Sequence, residues 1–359
     1  MQRSHKIRLR PTKPQETALR KAVGTARYAY NWGLAKWNEQ YQLYKEGLAE
    51  RPDAYKLSNL WTVEKPEWAN ESPRVVVKRS IMNLGKAWIN FWNKTTTGAP
   101  KFKRKGKARD SFYVTNQHAK ISGNRISLPK IGRVRMLEEL RFEGKLMGVT
   151  VTRTAGKWYA SISVELEDLP ESTNPSVVGI DVGIKSIAVA SDGTVLENPK
   201  LLRKYEAKLI KAQQLLAKKQ ARSNRKSKAL LELQKIHQKI TNIRTDAIHK
   251  FTTSCAKNHG LAVVETLDVK SMKETSDRWL RCLLQDTAMS EVHRQIKYKM
   301  RTVEAPQFYA SSKTCSNCGA KKDILSLDTR IYKCNACKFE CDRDLNASFN
   351  LKNMHWGTV

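Results

Sequence analysis

Four cysteines constrain this chain more than any other feature. Cys315-x-x-Cys318 and Cys334-x-x-Cys337 are separated by fifteen residues, a spacing that belongs to four-cysteine zinc sites. Each CxxC turn presents two thiolates from one knuckle, and two knuckles complete a tetrahedron around one Zn²⁺. Four thiolates leave no open coordination position, so the predicted site is structural rather than catalytic. The chain has seven cysteines in all, an odd number, and its opening MQRSHKIRLRP has no apolar segment for a secretion signal. Metal rather than disulfides is therefore expected to use them. Cys341 is a spare thiol on this reading, while Cys255 and Cys282, in helical or apolar surroundings, are expected to be buried packing residues.

A ribbon of this size leaves most of the 359 residues to be explained, and their charge narrows the choice. Lys and Arg number 66 against 34 Asp and Glu, a formal net charge of +32 with a pI near 9.9. A folded body this basic needs a polyanion to neutralise it. Residues 1–175 carry 33 basic and 16 acidic side chains and residues 176–359 carry 33 and 18, so both halves face that polyanion. At 40% hydrophobic residues with 17 Gly and 11 Pro, the chain is no disordered basic tail, and its length predicts two to four domains. No window approaches the ~18 apolar residues of a membrane span. Secretion, membrane insertion and a fibre are excluded, and a soluble intracellular protein is expected.

The hydrophobic pattern changes period along the chain. Lys6-Ile7-Arg8-Leu9-Arg10 alternates polar and apolar before Pro11 and predicts a short strand that needs partners from elsewhere. From Gln15 to Tyr44 the period is helical, with Tyr30, Leu34, Trp37, Tyr41 and Tyr44 on one face; Val77, Ile81, Leu84, Trp88 and Phe91 form a second stripe. Such aromatics could stack on bases, but at helical spacing a helix-on-helix core is the expected use. Lys101 to Arg109 carries six basic residues and is expected to contact phosphate. Beyond it, Phe112 to Thr115, Lys120 to Ser122, Arg125 to Leu128, Gly132 to Met136, Gly148 to Arg153 and Lys157 to Glu165 read as short strands joined by tight turns. Strands of this kind close into a small barrel, where the first strand could pair.

The polar, acidic stretch 166–176 marks a linker. An apolar three-strand meander follows, from VVGIDVG at Val177 through Ser186-Ile-Ala-Val-Ala-Ser to Gly193-Thr-Val-Leu. Two long basic helices come next, one from about Lys200 to Lys219 and one presenting Leu233, Ile236, Ile240 and Ile243 on a single face, joined through the basic Arg222 to Lys228. The apolar strand Leu261 to Glu265 and a helix from about Gln285 to Lys299 return the chain to alternating αβ order.

Three carboxylates stand out against this background. Asp181 ends an apolar strand in GIDVG, and Glu265 ends another in AVVET. A carboxylate there is costly unless it is paired or binds a cation. Asp344, in CDRDLNASFNL at the start of the final helix, is a third candidate, although Asp before an apolar helical run is also a routine N-cap. Together the three could hold two hard cations through oxygen, activating water and stabilising the leaving oxygen in phosphodiester hydrolysis.

GIDVGIKSIAVASDG, VVETLDVKSM, SSKTCSNCG and KCNACKFECDRDLNASFNL, in this order and spacing, together with the opening IRLRPTKPQETALRKAVGTARYAYNWGL, resemble the transposon-encoded TnpB family, also called OrfB, whose members are compact RNA-guided nucleases. The likeness runs over nearly the whole chain. It implies an α/β plus β-barrel architecture: an RNase H-like (RuvC) nuclease domain at 176–310 and 342–359, with a zinc-ribbon insert at 311–341 that binds target nucleic acid. A β-barrel wedge domain at 1–12 and 97–170 would precede it, carrying a helical recognition insert at 13–96.

The same resemblance implies Asp181, Glu265 and Asp344 as the RuvC-type catalytic carboxylates holding two Mg²⁺, Cys315, Cys318, Cys334 and Cys337 as the zinc ligands, a guide RNA from the transposon end, and double-stranded target DNA cut beside a short flanking motif. It also implies a monomer in the prokaryotic cytoplasm, associated with the nucleoid. Asp342 competes with Asp344, which is preferred because the family's DxNA pattern aligns on Asp344. Lys313, Lys321, Lys322, Arg330, Lys333 and Lys338 give the ribbon a basic surface suited to loading substrate. The chain departs from the family in two places. The Lys299 to Ser311 segment is several residues short, which predicts a trimmed sheet strand or turn, and Lys338 follows the fourth zinc cysteine where Gly is common. Two rival readings remain at this stage: a guide-independent nuclease or transposase of the RNase H class, and a non-catalytic nucleic-acid-binding regulator, which leaves the strand-end carboxylates unexplained.

Overall fold

The computed structural model describes residues 2–96, 98–167, 174–326 and 329–354, and the chain divides into two compact units, Met1–Leu169 and Pro170–Val359. Residues 168–173 of the expected linker lie outside the described residues.

In the first unit the opening strand β1 (Gln2–Arg10) buries alternate residues, His5, Ile7 and Leu9. It is longer than its apolar core predicts, because its polar first residues still pair in the sheet. β2 (Asp110–Thr115), β3 (Lys120–Ser122), β4 (Arg125–Leu128), β5 (Gly132–Met136), β6 (Lys145–Thr154) and β7 (Lys157–Glu165) complete one sheet in the order β2-β6-β7-β1-β5-β4-β3. β1 lies inside it, antiparallel to β7 from Gln2 opposite Glu165 to Leu9 opposite Trp158. The sheet's edges, β2 and β3, are not paired with each other among the described residues.

Helix α1 (Lys13–Lys45) starts from a capping box in which Thr12 and Gln15 satisfy each other's backbone N–H groups. Its first half lays Leu19, Ala22 and Val23 on the sheet core. Its second half packs Tyr30, Leu34 and Trp37 against α2 (Ala54–Glu64) and α3 (Arg74–Trp92), through Trp61, Val77, Ile81, Leu84 and Trp88. The stripes are therefore core as far as Trp37 and Trp88, with Tyr41 and Phe91 half-buried against it and Tyr44 exposed. Within the basic run, Lys103 is already engaged: its ammonium sits 3.6 Å from the centre of the Tyr30 ring, and the Asn31 side chain holds its main chain on both sides.

The second unit is built on a five-stranded sheet, β8 (Val177–Asp181), β9 (Ser186–Ala190), β10 (Val195–Glu197), β11 (Leu261–Val264) and β12 (Arg301–Glu304), in the order β10-β9-β8-β11-β12. β10, β9 and β8 form the antiparallel meander; β8, β11 and β12 run parallel. Full burial of β8 and β11 on both faces explains their unbroken apolar character. One face packs on α5 (Asn224–Asn258) and α8 (Met289–Lys299), through Ile248, Phe251, Val292 and Ile296. The other face takes α9 (Arg343–Met354), whose Leu351 joins Val177, Leu261 and Val263. α4 (Leu201–Ala217) and α5 make a hairpin closed by Leu201, Leu209 and Ile240.

One expectation is corrected here. The single helix from Gln285 to Lys299 is two, α7 (Arg278–Thr287) and α8, because Ala288 between them takes a left-handed backbone with φ +51°. The segment after Lys299 carries the four-residue strand β12, which pairs along its full length with β11.

Candidate active site and metal centre

Strand register brings the first two carboxylates together. Ile180 on β8 is opposite Val264 on β11, the last registered pair. Asp181 and Glu265 are the next residues on two parallel strands, which lie ~4.8 Å apart. Burial, then the charges of Glu265 and Asp344, push the Asp181 carboxyl well above the usual carboxylate range. Burial also raises Glu265, against the pull of a hydrogen bond from Ser311, whose Oγ donates to Glu265 Oε1 at 2.5 Å. Burial and then Asp342 raise Asp344. Three acids that resist ionisation together are what a cation would relieve.

Asp344 reaches this group because α9 lies against β8. The contact is close enough to exclude a side chain at Gly179: an added Cβ there would come within 1.9 Å of the Ser348 carbonyl oxygen. Asp342 does a different job. Its Oδ1 accepts from the backbone N–H groups of Asp344 (2.9 Å) and Leu345 (3.2 Å), capping α9. Asp342 is exposed and occupied as the cap, whereas Asp344, two residues further in, is half-buried and not needed there.

Sequence reasoning missed the residues that tie α9 to the ribbon. Asn346 and Asn350, one helical turn apart and both buried, face the chain that enters the ribbon. Asn346 donates to the Thr314 carbonyl (2.7 Å) and accepts from the Ser316 N–H (3.0 Å), and Asn350 donates to the carbonyls of Ser311 and Thr314 (2.7 Å each). Their i, i+4 spacing on the buried face of the helix is the signal that could have found them.

The four cysteines meet. Their Sγ atoms all lie within 4.8 Å of one another, with Cys315 to Cys337 at 3.7 Å and Cys318 to Cys334 at 3.6 Å. This is the one such set of three or more His, Cys, Asp or Glu ligand atoms among the described residues, so the carboxylates are more widely spread. A closed set of four soft donors is compatible with structural zinc. Asn317 Nδ2, 3.5 Å from Cys337 Sγ, and the Phe339 N–H lower the Cys337 thiol, while, against the pull of the Ala320 backbone, hydrogen bonds to the neighbouring thiols raise Cys318, so the four share their protons until a metal displaces them. The small strands β13 (Ile331–Lys333) and β14 (Glu340–Asp342) carry the second knuckle, over a fully buried Tyr332.

Lys338 adopts φ +61°, the left-handed conformation a glycine takes without strain and other residues take at about 1 kcal/mol or more. That is the physical reason Gly suits this position. Cys341 stays outside the cluster and donates to the Asp342 carbonyl, Cys255 is buried, and Cys282, expected to be buried, is exposed on α7.

The architecture of mixed sheets with a four-cysteine cluster resembles that of Cas12 family effectors in fold. The solved mini-RNA-guided endonuclease CRISPR-Cas_phi3 aligns over 98% of this chain and 92% of its own, with a TM-score of 0.50 at 9% identity. Three family models match the chain: a probable transposase (OrfB_IS605) over residues 161–276, a helix-turn-helix domain over 1–47, and a Cas12f1-like TNB domain over 290–351. Residues 1–47 fold as a strand and one long helix. InsQ of Escherichia coli strain K12, provisionally named an RNA-guided DNA endonuclease, is 31% identical over 96% of this chain and 90% of its own. A similarly named protein of Streptomyces pristinaespiralis is 28% identical over 98% and 89%. The chain belongs to this TnpB/OrfB family.

Proposed function

We propose that this protein is an RNA-guided DNA endonuclease that hydrolyses phosphodiester bonds of double-stranded target DNA beside a short flanking motif. The observation that carries the reading is the juxtaposition of Asp181 and Glu265 at neighbouring parallel strand ends, with α9 bringing Asp344 to them. In this reading residues 176–310 and 342–359 form an RNase H-like (RuvC) nuclease domain and 311–341 its zinc-ribbon insert. Residues 1–12 and 97–170 form a barrel-type wedge domain, and 13–96 its helical recognition insert.

Asp181, Glu265 and Asp344 offer hard oxygen ligands whose mutual repulsion favours divalent cations of the Mg²⁺ type, and a two-ion site accepts a wider spread of carboxylates than a single ion does. When bound, such ions supply an activated water and neutralise charge at the leaving oxygen. The chain's own residues do the rest. β8 and β11 fix the spacing of the first two carboxylates, Ser311 orients Glu265, and the Asp342 cap leaves Asp344 available. The net charge of +32 holds guide RNA and DNA through their phosphates, while base pairing reads sequence.

A guide-independent nuclease of the RNase H class is the second reading, favoured only by the probable-transposase description of the 161–276 match. Sequencing the RNA that copurifies with the full chain, then supplying Mg²⁺ and plasmids matched or mismatched to it, decides between them. Cutting confined to the matched plasmid supports the guided enzyme; equal cutting of both overturns it.

A further inference from the structure

A cavity of about 310 Å³ opens directly beside Glu265, lined by Asp268, Met272, Pro306, Phe308 and Tyr309 among others. Phe308 is its unusual member, for two independent reasons. The residue is 92% exposed, the most of any large apolar residue among the described residues. Its backbone also sits at φ +67°, in the left-handed region. The Tyr309 N–H donates to the Pro306 carbonyl at 3.1 Å, so Gln307 and Phe308 are the central residues of a tight turn. With φ positive at the second of them, this is a turn whose third position is ordinarily Gly or Asn. Phenylalanine gains nothing there from burial and bears the strain of the backbone. Strained residues held beside a reactive group are where function is to be looked for.

The turn is anchored at both ends while the ring is left out. On one side the Ala305 N–H donates to the Val264 carbonyl at 2.8 Å, and Thr266 Oγ1 to the Ala305 carbonyl at 2.6 Å, fixing the turn to the strand that delivers Glu265. On the other side Tyr309 Oη reaches the Asn350 carbonyl at 3.4 Å, the Ser311 N–H donates to the Tyr309 carbonyl at 2.8 Å, and Ser311 Oγ holds Glu265 itself. An exposed flat ring on a rigid arm, one turn from a carboxylate that meets phosphate, matches what an unpaired base needs. Base faces are covered in a duplex and become available only in single strands, where stacking on aromatic rings is strong and tolerant of sequence.

We infer that Phe308 is a stacking platform for one unpaired base of the DNA strand being cut, close to the scissile phosphate. This rests on the nuclease reading and adds to it a positioning residue outside the metal ligands. Stacking supplies substrate affinity at the reacting strand, so the ring acts on KM rather than on the chemical step.

The test uses the full chain with its copurified RNA and target DNA complementary to that RNA, comparing wild type with Phe308→Gly and Phe308→Trp. Glycine accepts φ +67° without strain, so Phe308→Gly folds at least as stably as wild type, and its losses are those of the ring. We expect KM to rise roughly ten- to a hundredfold, the size of one base–aromatic stack, with kcat nearly unchanged and Phe308→Trp restoring KM. A single abasic position in the cut strand should raise KM for wild type and be silent for Phe308→Gly. 2-Aminopurine at that position should be quenched on binding to wild type and not to Phe308→Gly, with no Mg²⁺ added, where no cutting is needed. Cutting with equal KM and no abasic or quenching difference overturns the platform while leaving the nuclease standing. Selective quenching without any Mg²⁺-dependent cutting keeps the platform and overturns the nuclease.

Discussion

The hydroxyl of Ser311 donates to Glu265 Oε1 at 2.5 Å, tying the residue at the mouth of the zinc ribbon to the second strand-end carboxylate of the candidate site. Ser311 is itself buried, 3% exposed, so the bond is shielded from water. It lowers the Glu265 pKa against the opposing effect of burial. Removing it therefore raises that pKa further. Ser311→Ala is expected to move the acid limb of the cleavage pH–rate profile to higher pH and to slow cutting at neutral pH by roughly tenfold or more, the range of a buried hydrogen bond to a charged group. Ser311→Thr, which keeps the hydroxyl, should restore the profile. An unmoved acid limb in Ser311→Ala would remove Glu265 from the reacting group.

Asp342 and Asp344 should separate cleanly in cleavage assays. Asp344→Asn removes a ligand to ions that stabilise the transition state by several kcal/mol, so cutting should fall at least about a hundredfold with binding retained. Asp342→Asn keeps a good capping oxygen and should cut like wild type. Asp342→Ala should lose about 1 kcal/mol of stability through α9 and still cut. The reverse ranking would transfer the metal-ligand role to Asp342.

Stability of the metal-free protein should depend on pH in a defined direction. Asp181, Glu265 and Asp344 all have folded pKa values raised above the ordinary carboxylate range. Each is neutral in folded and unfolded chains at low pH, so their contribution is intact there and is lost as pH rises through the folded values. Asp181→Asn should abolish cutting yet raise the Tm of the metal-free protein at neutral pH by a few degrees, with the gain vanishing at acid pH. Mg²⁺ should raise the Tm of wild type more than that of Asp181→Asn. Thermal unfolding across pH, with and without Mg²⁺, measures both; a Tm difference that grows toward acid pH would contradict the assignment.

One zinc per chain is expected, with loss of the metal in Cys334→Ser. Protons compete with zinc for the four thiolates, so acid should release the metal, and the lowered Cys337 thiol favours its retention. Asn317→Ala, which removes the hydrogen bond to Cys337, should shift release to higher pH. Metal content by mass spectrometry over a pH series reads both. Retention of a full equivalent by Cys334→Ser would exclude the four-thiolate shell.

How much of this was legible in the sequence depended on what kind of pattern each residue belongs to. Asp181 and Glu265 showed themselves because buried parallel strands are apolar throughout, and a carboxylate at the end of one is conspicuous. The cysteines were legible from spacing alone. Ser311, Asn346 and Asn350 were hidden: a buried polar residue bonded to main-chain carbonyls looks, in sequence, like any surface Ser or Asn. Hydrophobic periodicity has no term for polar burial. The break at Ala288 was equally invisible, since alanine is a strong helix former and only tertiary packing forces it left-handed. Cys282 misled because an amphipathic helix such as α7 can turn a mildly apolar residue outward, as it does Trp279, which is 71% exposed. The choice between Asp342 and Asp344 needed the helix start to be seen, because both, two residues apart, satisfy the N-cap pattern.

The clamp between α9 and the ribbon addresses only main-chain atoms at 311, 314 and 316: three carbonyl contacts from Asn346 and Asn350, and one N–H contact to Asn346. Nothing in it depends on which side chains the ribbon displays. The clamp therefore constrains the backbone of this stretch and leaves its outward side chains free to vary, provided Ser311 keeps its hydroxyl on Glu265, while α9 stays seated and the carboxylates stay as built.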